Sequence, residues 1–582
     1  MHLRLLTSLA CLVVAPAFAV LQSPLRTEAS GPTVSLSEGT YVGYSQPVDG
    51  QAVDFFLGMR YARPPLGSLR FKKPMALSNS SQTRTAIEYG DGCLQGSPRD
   101  GFSEDCLYLN LIRPSRRTSY GKLPVMVFFH GGGFQYGTGN NQNGSRIVAE
   151  SVKLNAPVIF VAINYRLGVF GFLGGSSVLS AARAGSATLN AGMYDTRMAL
   201  QWVQAHISAF GGDPRRVTIA GQSAGAFIVG NNLLAQGGNA HGLFQGAIME
   251  SGSPGSASTL RPTHPKLDET FAKISQAVKC PTRPKDLSCL KSVPATSLLA
   301  AANIVTYSFA EVNQKGLMPF MPVQDFLDDG FWFSSQPRVL INRGKFSTVP
   351  IISGCNLDEG TGGAPHNLNT SAEFEDWVRE VAVINTANTT LVDRVLRNIF
   401  QLFPDDVTKG SPFPNQPNAV SAGTTDLKDP FFPPSTNQFK RAAAFYGAWR
   451  YIGPHRHFLT KRYAVRSSGI WSYNFAQQDK QVLSYLGASH SSELTYVFGN
   501  TTDYPSAGFY APLSKTIQQA YISFVNYRDP RKIGNLNWPP YTASGLQALQ
   551  LKGGATQVIK EDFRSAQLAY IKSSDAATVF SS

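Results

Sequence analysis

Short apolar runs rich in β-branched residues alternate with helix-like patterns through the middle of the chain. Six of these runs read as strands, at residues 125–129, 158–163, 217–220, 247–249, 349–353 and 470–475. Each is apolar at nearly every position rather than at every second one. Such a strand must be buried on both faces, as in a parallel sheet covered by helices on either side. Between the second and third runs, residues 196–207 carry Met198, Leu200, Trp202 and Val203 at the spacing of an amphipathic helix. Gly211-Gly212-Asp213-Pro214 then reads as a turn that stops the chain before the next strand. The alternation predicts an α/β fold: a large, mostly parallel central sheet flanked by helices.

The 582 residues exceed what one small core needs, and the length is expected as long insertions into a single domain over residues 20–582. There is no internal repeat and no sustained heptad. The Ser/Pro/Gly-dense stretch 409–435 reads as an ordered surface excursion rather than a linker. The first 19 residues stand apart: Arg4 in a positive leader, an apolar stretch at 5–15, and Ala17-Phe18-Ala19 as a small-x-small cleavage site. They predict a signal peptide cut after Ala19 and an exported, extracellular protein. No later run approaches the ~20 apolar residues of a membrane span, so no stable membrane anchor is expected.

Cysteine usage fits export. Cys11 leaves with the leader, and Cys93 with Cys106 and Cys280 with Cys289 form two close pairs, each closing a short loop. Cys355 is left over after the apolar run 349–352 and is expected as a buried, inert thiol. Five sequons, at Asn79, Asn143, Asn369, Asn388 and Asn500, are candidate glycosylation sites. The formal charge of +14 falls to +13 when Arg4 is removed. The basic residues are spread without aromatic-interleaved stripes, which excludes nucleic acid as the expected partner. The oligomeric state is not readable from the sequence.

The chemistry lies just after the strand at 217–220. Gly221-Gln222-Ser223-Ala224-Gly225 sits between that strand and a helix-like stretch. In strand, G-x-S-x-G, helix order, the flanking glycines allow a turn too tight for side chains, and the serine hydroxyl is pushed out above the sheet. A serine nucleophile needs a base and an orienting carboxylate, in the chain order Ser, acid, His for this arrangement. Of the later histidines, His455 and His457 lie in the basic run 456–466 and read as solvated surface. His366 is only seven residues from the candidate acids at 358–359, too near to come from a separate strand end. His490, in a small-residue loop after the strand at 470–475, remains as the base. Asp358 and Glu359 both follow the strand at 349–353, and spacing alone does not separate them. Oxyanion donors are expected from the N–H of Ala224 and from the run His130-Gly131-Gly132-Gly133-Phe134.

These residues resemble the type-B carboxylesterase/lipase family, which includes cholinesterases and fungal lipases and sterol esterases. The likeness spans residues 42–570 and rests on Ser103-Glu104-Asp105-Cys106-Leu107-Tyr108-Leu109-Asn110, the 130–134 run, Asn164-Tyr165-Arg166, Asn190-Ala191-Gly192, the elbow, and residues 356–361. Segments 409–413 and 538–542 are most similar to the fungal lipase branch. The resemblance implies an α/β-hydrolase fold and hydrolysis of a small-molecule ester through an acyl-enzyme. It implies Glu359 as the acid, Gly132, Gly133 and Ala224 as oxyanion donors, and the two cysteine pairs as disulfides. It further implies Ser251 as a serine supporting the acid, and Glu104 as an ion-pair partner of Arg63. No metal-ligand spacing or phosphate loop is present, and no cofactor is expected. The loop closed by the first cysteine pair is long in fungal lipases, where it forms a mobile lid, but only 12 residues separate Cys93 from Cys106 here. An esterase for small to medium esters is therefore expected ahead of a triacylglycerol lipase or sterol esterase. A non-catalytic adhesion protein on the same fold is the remote alternative, since proteins of that kind lack the serine or its partners.

Overall fold

The computed structural model describes residues 31–580 apart from 116–120, 257–258, 284–286, 312–318, 326–330, 407–408, 413–437, 479–485 and 500–509. The expected leader with Cys11 and its cleavage site, the sequon at Asn500 and most of the 409–435 excursion lie outside the described residues.

Eleven strands form the central sheet: β1 (Tyr44–Val48), β2 (Gln51–Arg60), β3 (Tyr108–Pro114), β4 (Leu123–Phe129), β5 (Ile159–Ile163), β6 (Gly212–Gln222), β7 (Gly246–Glu250), β8 (Ile351–Asn356), β9 (Ile470–Phe475), β10 (Gln547–Leu551) and β11 (Gln557–Lys560). Across the sheet they run β11-β10-β9-β8-β7-β6-β4-β5-β3-β2-β1. From β10 to β5 every neighbouring pair is parallel, while β11, β3, β2 and β1 close the two edges with antiparallel pairs. All six predicted strands lie in the parallel part.

The continuous apolar runs are explained by two cores, one on each face. Along β4, Val125, Val127 and Phe129 pack into one core, and Met126 and Phe128 into the other. The second core is covered by helices Ser145–Lys153 and Ala511–Tyr527, whose Ile147, Val148, Ile517 and Phe524 meet the sheet. The predicted helix at 196–207 is part of Ala191–His206, which starts at the left-handed Asn190. The expected turn at 211–214 instead enters β6: Gly212 already pairs with Leu123, and a bulge separates it from the regular pairing that begins at Val217.

Both cysteine pairs are disulfides, with Cα atoms 4.9 and 5.8 Å apart, and Cys355 is free and buried. Closing such loops typically contributes ~3 kcal/mol by restricting the unfolded chain. Glu104 does form a buried ion pair, but with Arg70 rather than Arg63: Arg70 Nε lies 2.5 Å from Oε1, and its Nη1 bonds the carbonyls of Leu290 and Val293. Arg70 belongs to a turn packed beside the second disulfide segment and is buried there, whereas Arg63 is exposed. The expectation for His455 and His457 is also corrected. His455 is 0% exposed, with Nδ1 2.9 Å from Ser353 Oγ and Nε2 3.3 Å from Ser472 Oγ, because the helix Gly453–Val465 packs this face against the sheet.

Arg166, just beyond β5, holds the loop there to the helix Ala191–His206. Its Nε and Nη2 donate to both oxygens of Asp195 at 2.8 and 2.7 Å, with side chains 2% and 0% exposed. Removing one member of such a pair strands the other charge in a low-dielectric interior. Asp195→Ala is expected to lower the unfolding free energy by about 3–5 kcal/mol, read as a drop in the urea midpoint. A midpoint within error of the parent protein would refute the structural weight given to this pair.

Candidate active site

Ser223 follows β6 directly and caps the helix Ala224–Gly238. Its backbone has φ 56° and ψ −123°, outside the usual range for an L-residue. The turn can close only because its flanking residues are glycines. A Cβ on Gly225 would sit 1.9 Å from the carbonyl oxygen of Phe129, and one on Gly221 would sit 2.5 Å from the Gly225 carbonyl carbon. The result is a serine at the carboxyl end of the sheet, 8% exposed.

The loop after β9 brings His490 to this serine, with Nε2 2.8 Å from Ser223 Oγ. The other imidazole nitrogen, Nδ1, lies 2.6 Å from Glu359 Oε2. Glu359 stands three residues past β8 and is fixed through its other oxygen, which accepts the N–H of Asn356 at 2.7 Å. Asp358 points elsewhere. Its Oδ1 accepts from Ser411 Oγ at 2.8 Å and its Oδ2 from the N–H of Ala488 at 3.0 Å. The two adjacent acids thus separate by direction: one faces the imidazole, and the other anchors the start of the loop carrying it. His366 is not at this site; its ring packs on Phe439.

Gly132 and Gly133 have φ 104° and 61°, and a Cβ on Gly132 would meet the Tyr136 carbonyl oxygen at 2.1 Å. Among the described residues, their N–H groups donate to no protein acceptor, while the Gly132 carbonyl takes the N–H groups of Gln135 and Tyr136. Gly131 packs on the elbow, where a Cβ would lie 3.1 Å from Ser223 Cβ. The glycine loop is held from outside by Gln95, in the disulfide loop, whose amide bonds Gly137 in both directions at 2.7 and 2.8 Å. Tyr165 holds it from beneath, donating from its hydroxyl to the His130 carbonyl at 2.9 Å.

Sequence reasoning did not pick out Glu493, Gln222 or Tyr451. Ser251 Oγ reaches Glu493 Oε1 at 3.3 Å rather than Glu359, so the expected support for the acid is corrected: it runs to a second buried carboxylate. Asn356 joins the two, giving its N–H to Glu359 and its Nδ2–H to Glu493. Gln222 Nε2 donates to Ser491 Oγ at 2.8 Å, tying the elbow to the histidine loop. The Tyr451 ring lies 4.6 Å from the imidazole, centroid to centroid. The only sequence signal for Glu493 is a carboxylate three residues past the histidine in a loop of small residues.

Burial works against a charged imidazole, but the Glu359 charge and hydrogen bond, with Glu493 adding to them, leave His490 raised above its ordinary value. Glu493 itself is pushed up to about 7, first by burial and then by the Glu359 charge. Glu250, at the end of β7, is raised well above the carboxylate range by burial, with Glu493 adding to it. The site therefore gathers three carboxyl groups, two of which, Glu493 and Glu250, are pushed up by burial and by a neighbouring carboxylate. Asp358, buried, is pushed up to about 6.

A strained serine at a strand end, bonded to an imidazole that is bonded to a carboxylate on an eleven-stranded α/β sheet, defines the α/β-hydrolase class. Within it, this chain belongs to the Carboxylesterase family, which it matches over residues 30–571. It is 32% identical to Lipase 1 of Geotrichum candidum, with 92% of this chain and 94% of that protein covered. It is equally 32% identical to Secreted lipase 1 of Botryotinia fuckeliana, with 94% of each covered. Among solved structures, Aspergillus niger EstA superposes with a TM-score of 0.77 at 28% identity, covering 93% of this chain and 98% of that one.

The electrostatics predict the titration of His490. Its imidazole NMR signal should titrate above the ordinary 6.5, and Glu359→Gln should move the midpoint down because the attracting charge is gone. An unchanged midpoint in that variant would contradict the assigned cause.

Proposed function

We propose that the chain is a secreted serine carboxylic-ester hydrolase acting on small to medium esters by two-step acyl transfer. The observation that carries this reading is the unbroken chain of contacts from Ser223 through His490 to Glu359, at 2.8 and 2.6 Å. His490 Nε2 takes the hydroxyl proton as Ser223 Oγ attacks the ester carbonyl. Glu359 holds the Nδ1–H and stabilises the imidazolium that forms. The N–H groups of Gly132, Gly133 and Ala224 receive the oxyanion, and the alcohol leaves with the proton returned by His490. Water, activated by the same imidazole, then releases the acid. The retained serine, histidine and acid argue against a non-catalytic adhesion role.

The preference for small and medium esters rests on the disulfide loop. A lid must swing away from an apolar pocket, and the cost of opening scales with the apolar area it exposes, about 25 cal/mol per Å². Here the loop is closed by Cys93–Cys106 across a separation of 13 residues, and Gln95 clamps it to the glycine loop. It can cover little and move little. The relatives named lipases keep the lipase reading as the alternative. Secretion is supported by the N-terminal leader pattern and by the secreted relative. Asn79, Asn143, Asn369 and Asn388 are all exposed, as glycan acceptors must be.

Ser223→Ala is expected to cut hydrolysis of a p-nitrophenyl ester by on the order of 10⁴-fold or more without unfolding the protein. Parent-like turnover in that variant would end this reading. Glu359→Gln should be far more damaging to turnover than Asp358→Asn, and the reverse order would overturn the choice of acid.

Rate plotted against a short-chain ester should rise hyperbolically through the solubility limit. A sharp increase only as droplets form would favour the lipase alternative.

A further inference from the structure

A cavity of about 1490 Å³ opens among the helices Pro265–Ala277, Pro337–Asn342, Ser371–Ala382, Thr389–Leu402 and Gly453–Val465. It shares no residue with the Ser223 site. Its wall carries Arg261, Lys266, Arg338, Lys461, Lys572 and His457, against the carboxylates Glu380 and Asp393. Asp393 is already engaged, 3.2 Å from Arg379.

Arg338, Lys461 and Lys572 gather around His457. Among the described residues, no carboxylate lies within ion-pair distance of Arg338, Lys461 or Lys572. Arg338 donates to the carbonyl oxygens of Lys572 and Ser573, which brings its guanidinium against the lysine. His457 Nε2 is buried with no hydrogen-bond partner. The imidazole is pushed down to about 3 by burial and by Arg338, Lys572 and Lys461. Burial and Arg456 together push Lys572 down to about 8, and Glu561, engaged with His455 and Arg456, offsets only part of this. Half-buried like charges that face one another and a stranded ring nitrogen are costly unless something negative sits between them.

The same Arg338, His457 and Lys572 also line an adjoining recess of about 90 Å³, whose walls include Ile341, Trp449, Ile571 and Phe580 beside Ser256 and Thr259. Cations beside a largely apolar recess match an anion with an apolar tail. A bare inorganic anion would leave the recess unfilled, and an uncharged chain would leave the cations uncompensated.

We propose that this cavity is a second ligand site, for a carboxylate bearing a short apolar chain. Lys572, Lys461 and the Nε2–H of His457 hold the carboxylate, and Ile341, Trp449 and Phe580 enclose the chain. That is the chemical class of acid released when an ester is hydrolysed, so the enzyme's own product is a natural occupant. The site is defined without reference to Ser223, and it stands or falls independently of the catalytic reading.

The test is calorimetric titration of hexanoate into the full-length protein and into Lys572→Gln and Lys461→Gln, with acetate and hexanol as comparison ligands. Hexanoate should bind with saturation, and each variant should weaken that binding about tenfold, as expected for loss of one charge-assisted contact. Hydrolysis of a short ester at low conversion should be unchanged in both variants, which separates this site from the Ser223 centre. Acetate and hexanol should bind far more weakly than hexanoate. Equal hexanoate affinity in parent and variants, or acetate binding as well as hexanoate, would overturn the proposal. If Lys572→Gln does not fold, as judged by circular dichroism, Lys461→Gln decides alone.

Discussion

Ser223 is held at φ 56° and ψ −123°, and the rest of the site is built around keeping it there. Such a backbone conformation costs on the order of 1–3 kcal/mol and persists only where the surroundings over-determine it. Three restraints do so. The Ser223 N–H donates to the Glu250 carbonyl at the end of β7, at 2.9 Å. Gly225 lies against the Phe129 carbonyl at the end of β4, with no room for a side chain between them. The helix that begins at Ala224 is largely apolar and is buried through Ala235. A strained turn between two neighbouring strand ends can deliver a hydroxyl to one point above the sheet, and it can do so without reorganising when substrate arrives.

The parallel sheet supplies the remaining placement. Because β6, β8 and β9 run the same way, the segments that follow them all emerge on one edge, and Ser223, Glu359 and His490 converge from positions far apart in the chain. The loop carrying His490 is then fastened at several points. Asp358 accepts from Ala488, Gln222 donates to Ser491, and Asn356 donates to Ser489 and Glu493. Glu493 adds an electrostatic role. Pushed up to about 7, it sits at the edge of protonation near neutral pH, behind an imidazole whose charged form it favours. A second full negative charge beside Glu359 is costly in so buried a place, which is why burial and the Glu359 charge push Glu493 up.

The short disulfide loop braces the glycine loop: the Gln95 amide bonds Gly137 in both directions, close to Gly132 and Gly133. That links two features that look unrelated along the chain, a truncated loop and a precise run of glycines, through one pair of amide hydrogen bonds.

The parallel strands and the elbow were legible in the sequence because each depends on local order: an apolar run buried on both faces, or a serine between two glycines. His490 was reached by elimination among the later histidines, and one premise of it, a solvated His455, does not hold. The antiparallel edge strands were not, since β1, β2, β3 and β11 are short or mixed in pattern and are defined by their neighbours. Spacing could not separate Asp358 from Glu359; only the fold turns one toward the imidazole and the other toward Ser411 and Ala488. Arg70 rather than Arg63 as the partner of Glu104, the burial of His455, and Ser251 meeting Glu493 share one reason. Which charged or polar group finds which partner is settled by distances between segments remote in the chain, and the tertiary structure alone sets those distances.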